Sequence, residues 1–350
     1  MGQVKNNKVY VVILNYNSWA DTIECLESVL GNNYPNYQVV VVDNNSPNNS
    51  MEYIKAWAEG KLDVWVKPDH PLRHLSFPPV RKPVPYVYYT REEAERGGNS
   101  GLDYPLILIQ TGENLGYAGG NNVGIRYALA KDDFEYIWIL NNDTVIEKNS
   151  LEKLVKKFEI YKRQGKKVGM VGSKLLYYDN PKLIQGVGGT YNKWFAVGKH
   201  LGIFEEDRGQ YDNEEVLNKI DYIIGASMLV SRDFIKEVDL MCEDYFLYFE
   251  EMDWTLRGKQ KGYQLGYCWQ SRVYHKEGGS IGSSSKGEEK SEISDYYGLK
   301  NRIVFTRKFY SNYLLSVYVG LLLSAVKRIK RGQFSRLKTI LKAILDEKNK

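Results

Sequence analysis

An apolar run, Tyr136-Ile137-Trp138-Ile139-Leu140, ends abruptly in Asn141-Asn142-Asp143. Amides and a carboxylate at a strand end sit where α/β sheets bind their ligands. A carboxylate there suits a hard divalent ion that also holds a diphosphate. About a hundred residues later, Glu250-Glu251-Met252-Asp253 supplies carboxylates able to remove a proton, and His275 follows. Together they suggest a metal and diphosphate site with a separate carboxylate base. Taken alone, the Asn-Asn-Asp segment is equally compatible with an Asx turn after a strand.

Two more apolar runs end in short polar side chains, at Asn15-Tyr16-Asn17-Ser18 and Asp43-Asn44-Asn45-Ser46. At the same edge of a parallel sheet, an Asp can accept hydrogen bonds from a base or ribose while amides contact a pyrimidine edge. Ser18, Ser46 and Asn48 could instead serve as N-caps. In Glu113–Gly124, glycines between a strand and a helix allow backbone to approach a phosphate. The segment is neither the G-x-G-x-x-G fingerprint nor a Walker loop, so nicotinamide, flavin and P-loop chemistry are not supported. A glycine-rich turn of this kind is also a common structural device.

The elements that position these residues alternate. Strands are expected at Lys8–Leu14, Tyr37–Val42, Leu62–Val66, Leu106–Gln110 and Glu135–Leu140, with helices at Trp19–Leu30, Met51–Ala58 and Ala118–Leu129. The pattern predicts an α/β fold, a parallel sheet with helices on both faces. Residues 67–105 hold seven of the ten prolines and read as an inserted loop, either a lid or a poorly ordered surface segment. Further on, Val168–Tyr178, Leu183–Thr190, Asp221–Val230, Tyr263–Gly266 and Arg272–His275 read as strands and Phe249–Lys261 as a helix, while Gly278–Lys290 is Ser/Gly-rich and expected to be flexible.

The net charge of +5 is unevenly placed. From Lys300 onward thirteen Lys or Arg face only Asp346 and Glu347, a net of +11, which leaves 5 − 11 = −6 for the first 299 residues. Nucleic acid is therefore a poor partner for the body. The tail reads as helical. Tyr313–Val326 is apolar but too short to span a bilayer, and Leu337, Ile340, Leu341 and Ile344 recur at helical spacing among lysines. Such a helix can lie in a membrane interface, or pack on the body or on a second subunit. Cys25, Cys242 and Cys268 form no C-x-x-C pair, which fits a reducing compartment. The opening apolar run, Val9–Leu14, is too short for a signal peptide.

The order of these blocks resembles the inverting family 2 glycosyltransferases of the GT-A fold, particularly their rhamnosyltransferase-like branch. The resemblance rests on Val12–Asn17, Val41–Ser46, Asn114–Asn121, Leu140–Thr144, Gly225–Leu229 and Phe246–Arg257, and covers roughly residues 8 to 310 apart from the insertion. It implies a GT-A catalytic domain over 1–291, carrying the 67–105 insertion, and a helical basic tail over 292–350. Asp143 matches the retained acid of the D-x-D metal motif, with Asn141 and Asn142 in the preceding places, and His275 matches the second ligand of Mg²⁺ or Mn²⁺. Asn15 and Asp43 fall where relatives hold base and ribose. Asn114, Gly120, Asn121 and Asn142 fall on the nucleotide and donor, and Gly225 and Ala226 beside the donor or acceptor. Glu251 occupies the place of the catalytic base, usually Asp in the family.

What the resemblance implies is transfer of a sugar from a dTDP- or UDP-sugar, dTDP-rhamnose among them, to a hydroxyl of a glycolipid or polysaccharide intermediate, with inversion. No nucleic acid is expected; a homo-oligomer is left open. The expected place is cytoplasmic, peripheral on the inner face of the cell membrane. Two departures stand out: one carboxylate instead of two in the metal motif, and Glu in place of Asp as base. Asp253 is the fallback base, although its spacing to Arg257 favours an ion pair. The alternatives are a catalytically silent nucleotide-binding scaffold and a sugar nucleotidyltransferase. The latter should carry an Arg/Lys-containing Gly-rich loop after the first strand, and a processive synthase should carry Q-x-x-R-W.

Overall fold

The sheet is long because apolar runs feed it from both halves of the chain. In the computed structural model, which describes residues 7–99, 101, 103–277 and 291–348, ten strands join in one sheet. The first half supplies β1 (Val9–Asn15), α1 (Trp19–Leu30), β2 (Tyr37–Asp43), α2 (Ser50–Ala58), β3 (Tyr86–Thr90), α3 (Arg91–Glu95), β4 (Leu106–Gln110), α4 (Gly116–Lys131), β5 (Tyr136–Asn141) and β6 (Thr144–Ile146). The second half adds α5 (Ser150–Arg163), β7 (Val168–Tyr177), β8 (Ile184–Gly186), the separate hairpin β9 (Gly189–Asn192) and β10 (Val197–His200), β11 (Ser227–Ser231), α6 (Arg232–Val238), α7 (Glu250–Gln260) and β12 (Gln264–His275). The tail folds as α8 (Glu292–Phe309), α9 (Leu314–Lys330) and α10 (Ser335–Lys348).

Sheet order is β3-β4-β2-β1-β5-β11-β7-β12-β6, with β8 on β7. The first five are parallel, and β11 runs against β5. Val9, Val11 and Ile13 pack with Ile23, Leu26 and Leu151 on one face, while Tyr10 and Val12 pack with Val123 and Tyr127 on the other. Burial on both faces is why these strands read as continuous apolar runs. Each fully buried aliphatic side chain contributes about 1.5–3 kcal/mol.

Register aligns the strand ends. Asn15 lies opposite Asp43, Asp43 opposite Gln110, and Leu14 opposite Asn141. The short β6 leaves that edge and pairs with β12, Thr144 opposite His275, so the Asn142–Asp143 turn meets the end of β12.

The insertion differs from the expected loop. Leu62–Val66 forms no strand, and Tyr86–Thr90 provides the outer parallel strand instead. Leu72, Val84 and Tyr89 are buried, and the His70 ring stacks on Tyr178 at 4.2 Å. The proline-rich segment is therefore packed against the body, held by its aromatic and aliphatic side chains. In the second half, Leu183–Thr190 divides into β8 and the start of β9, and Asp221–Val230 is strand only from Ser227. Gly278–Lys290, expected to be flexible, lies outside the described residues.

Candidate active site

Asp143 and His275 meet where β6 joins β12. Asp143 Oδ1 is 3.0 Å from His275 Nε2, and Lys276 N–H donates to the Asp143 carbonyl at 2.9 Å. Burial alone would raise the Asp143 carboxyl; the His275 charge and hydrogen bond, with help from Lys276, outweigh it and hold it below its usual range. Burial lowers the His275 imidazole, but the Asp143 charge and hydrogen bond reverse this and raise it. His275 Nδ1 sits 2.7 Å from Gln185 Oε1, an arrangement in which Nδ1–H donates and Nε2 faces Asp143. A carboxylate and an imidazole oriented by an outer amide form a donor set that fits a divalent ion. Among the described residues no third His, Cys, Asp or Glu joins them. The set thus suits an ion whose remaining ligands come from a diphosphate and water.

Tyr117, on the first turn of α4, reaches across to this corner. Its hydroxyl lies 3.2 Å from Asn141 Oδ1 and 2.9 Å from the Gly225 carbonyl, and Asn141 N–H donates to the Ala226 carbonyl at 3.0 Å. Burial, then the charges of Glu250, Glu251 and Asp143, push the Tyr117 hydroxyl well above its usual value, so it remains a donor. Asp143 and the two glutamates thus all act electrostatically on this one side chain.

Glu250 and Glu251 open α7, and each has a buried Oε2 with no hydrogen-bond partner among the described residues. Burial pushes Glu251 up to about 7. Burial, then the adjoining Glu251 charge, push Glu250 well above its ordinary value. Unsatisfied buried carboxylates are costly unless something else meets them. The turn before them is strained: Phe246, Tyr248 and Phe249 have φ of 59°, 69° and 77°. Asn301 of α8 holds it, donating from Nδ2 to the carbonyls of Tyr245, Leu247 and Tyr248 at 2.8, 2.7 and 3.1 Å. Asp253, the fallback base, is fully buried and accepts from Arg257, Tyr245 and Lys308. Its carboxylate is consumed by structure.

The sheet edge expected to hold a nucleotide is more self-satisfied than its residue types indicate. Asn15 Nδ2 donates to Asp43 Oδ1 at 2.6 Å, and Ser46 caps the same carboxylate through N–H and Oγ. Asn142, expected on the donor, turns inward to Thr22 and Asn15. Asn44 and Asn114 bond each other and the α4 N-terminus. At Gly120 a Cβ would lie 2.4 Å from Leu14 Cδ1, so the glycine lets α4 lie close on the sheet. Asn121 is different: its Oδ1 is buried with no partner among the described residues, as is Gln110 Oε1 beside Asp43. Gln110, Gln185 and Asn301 were not singled out by the sequence, and Tyr117 and Glu250 were given no role of their own there. Tyr117 and Glu250 stood inside motifs; the others carry no local signal.

A cavity of about 710 Å³ lies on the other side of α7, lined by Tyr191, Trp194, Asp221, Tyr222, Lys259 and Tyr310 among others. Tyr222 is one of its walls, and burial, then the Glu251 charge, raise the Tyr222 hydroxyl.

Comparison with known proteins gives this geometry a family. The model of "Glycosyl transferase family 2" matches residues 10–70 and 88–238, skipping part of the proline-rich insertion. The low-salt glycan biosynthesis hexosyltransferase Agl10 of Haloferax volcanii is 23% identical over 206 residues, 59% of this chain and 62% of that protein. The chain thus spans about three fifths of the length of the curated relatives it matches. Among solved structures, the mannosyltransferase PcManGT from Pyrobaculum calidifontis, in complex with GDP-Man and Mn²⁺, is similar with a TM-score of 0.52 at 13% identity, covering 98% of this chain and 87% of that one. A S. aureus TarS structure in complex with UDP-GlcNAc gives 0.51 at 14%, covering 97% and 80%. At these identities the structural likeness shows the fold.

Proposed function

The chain belongs to glycosyl transferase family 2, a family of sugar-transferring enzymes, and from that premise we propose its reaction. It moves one sugar from a dTDP- or UDP-sugar, with dTDP-rhamnose among the candidates, to a hydroxyl of a glycolipid or polysaccharide intermediate, with inversion at C1. The observation that carries this reading is the buried Oε2 of Glu250 and of Glu251, each without a partner among the described residues, on two side chains whose charges, with that of Asp143, act on Tyr117, while Asp143 pairs with His275. Inversion needs a base on one side of the sugar and a charge-neutralised leaving group on the other, and these are two such groups.

Glu251 accepts the acceptor hydroxyl's proton as that oxygen attacks C1. Glu250, raised by burial and by the Glu251 charge, is the partner that keeps a proton in this reading and spares the pocket a second negative charge. Tyr117 fixes the Asn141 amide and the Gly225 carbonyl between base and leaving group. Asp143 and His275 would hold Mg²⁺ or Mn²⁺, which when bound offsets charge on the departing diphosphate. The strand-end residues Asp43 and Asn114 frame the nucleotide, and the unpaired Asn121 and Gln110 oxygens meet its donors. The acceptor enters from the Tyr222 side, where the aromatic cavity suits a sugar face.

The test is thermal stabilisation by UDP, dTDP, GDP and CMP, each with and without Mn²⁺, on wild type and Asp143→Ala. A ligand that binds the folded state raises the melting point by mass action. The reading expects one pyrimidine diphosphate to stabilise with metal, and Asp143→Ala to lose the metal-dependent part. If no nucleotide stabilises the protein under any condition, the donor site is refuted.

A further inference from the structure

Among the described residues, the tail helices leave an apolar face that the body does not cover. On α9, Leu315 is 77% and Leu322 63% exposed, with Val319, Val326 and Ile329 on the same stripe. The tip of the β9–β10 hairpin continues it. Trp194, 56% exposed, sets its ring edge-on to Tyr313 at 4.8 Å, and its carbonyl accepts from Ser316 Oγ at 2.7 Å. Phe195 rests where Gly320 has no side chain; a Cβ there would lie 3.0 Å from Phe195 Cδ1. Two segments more than a hundred residues apart thus expose aromatic and aliphatic side chains side by side.

Charge completes the pattern. Residues 296–345 contain eleven Lys or Arg and not one Asp or Glu. Lys327 and Lys330 end α9, Arg331 caps it, and Lys338 and Lys342 are exposed on α10. Arg328 is spent internally on Asp295 and the Arg336 carbonyl. Among the described residues no helix is long and apolar enough to cross a membrane. An exposed apolar stripe bordered by lysines is built to lie in an interface.

We infer that α9, the exposed side of α10 and the Trp194–Phe195 hairpin tip form one docking face for an anionic lipid bilayer. Charge decides the occupant. A second copy placed on this face by two-fold symmetry would bring like-charged rows together, whereas anionic headgroups meet them with opposite sign. The hairpin tip makes the face rigid with the body. Trp194 also lines the aromatic cavity, so a docked bilayer lies at that cavity's rim. In this last respect the inference rests on the proposed transferase function: the acceptor is then a lipid-borne glycan reaching the cavity from the membrane surface.

The test is co-flotation of the full chain with vesicles of phosphatidylcholine alone and with about one third phosphatidylglycerol, at low and high salt. Binding to the anionic vesicles only, weakened by salt, is expected. Lys330→Gln with Arg331→Gln should weaken it about fivefold per charge removed, and Leu322→Glu should abolish it without changing the melting point. Leu322→Glu should keep wild-type nucleotide stabilisation and turnover of a soluble acceptor, so a failure of docking is read separately from a failure of transfer. Equal binding to both vesicle types, no binding to either, or a dimer in light scattering that Leu322→Glu dissolves would each overturn the inference.

Discussion

Replacing Glu251 with Gln separates the proposed base from the fold that burdens it. Burial raises this carboxyl from its ordinary 4.5 to about 7. A base must have lost its proton, so wild-type kcat/KM should fall as pH drops below about 7 and level off above it. Glu251→Gln should lower kcat by about 10²–10⁴-fold and erase that limb. Stability moves the other way. A carboxyl with a raised folded-state pKa holds its proton more tightly in the folded protein. The native state is therefore unpenalised below 4.5, loses stability as pH rises from 4.5 to 7, and carries the full penalty above. The shift, 7 − 4.5 = 2.5, corresponds to roughly 3 kcal/mol. Urea unfolding in metal-free buffer should show Glu251→Gln more stable than wild type by that order at about pH 8, and equal near the ordinary carboxyl value. A variant no more stable than wild type at the higher pH, or a wild-type rate limb lying with ordinary carboxylates, refutes the reasoning.

Asn301→Ala leaves three carbonyls of a left-handed turn without their donor; a loss of about 2–4 kcal/mol is expected in denaturant unfolding, with a fall in kcat because Glu250 and Glu251 begin at that turn. Gln185→Leu frees the His275 ring, and calorimetric titration of Mn²⁺ with saturating nucleotide should show affinity lower by about 10–100-fold. Gly120→Ala would favour an isolated helix but here collides with Leu14, so melting should show a net cost of about 1–3 kcal/mol. A chain ending at residue 291 strips Lys308 from the buried Asp253 carboxylate and Phe305 from the Tyr245–Phe249 cluster; it should unfold at lower denaturant concentration and lose turnover.

Much of the first half was legible because its strands are buried on both faces. Residues such as Val39–Val42 must then all be apolar, and the run shows without any partner being known. The outer strand was missed for the converse reason. Tyr86–Thr90 is half-exposed at the sheet edge and keeps no apolar run, while Leu62–Val66 lays Leu62 and Val64 against the core without forming a strand. At the site, the types at Asp143, His275 and the Glu250-Glu251 pair were visible, as was the Asp253–Arg257 pair from its i,i+4 spacing. What pairs with what was not. Gln185 is 90 residues from the histidine it orients, and nothing local marks it. Asn15 and Asn142 illustrate the opposite case: amides at strand ends suit a nucleotide equally well as each other, and the fold joins them through Thr22.

The tail is where sequence order and packing part company. Helix α8 begins the basic segment, yet its Asn301 holds the turn before the glutamates and its Lys308 pairs with Asp253. Its other side carries Leu299 and Ile303 against Leu321 of α9 and Ile340 of α10, and Asp295 pairs with Arg328. One helix therefore touches both the left-handed turn and the helices that bear the apolar face. Strain in that turn persists only because the surroundings over-determine it, and α8 supplies part of those surroundings. Contacts that shift α9 and α10 act on the same helix that fixes the start of α7. Placement of the proposed base and placement of the proposed docking face are thus set by a single packed element.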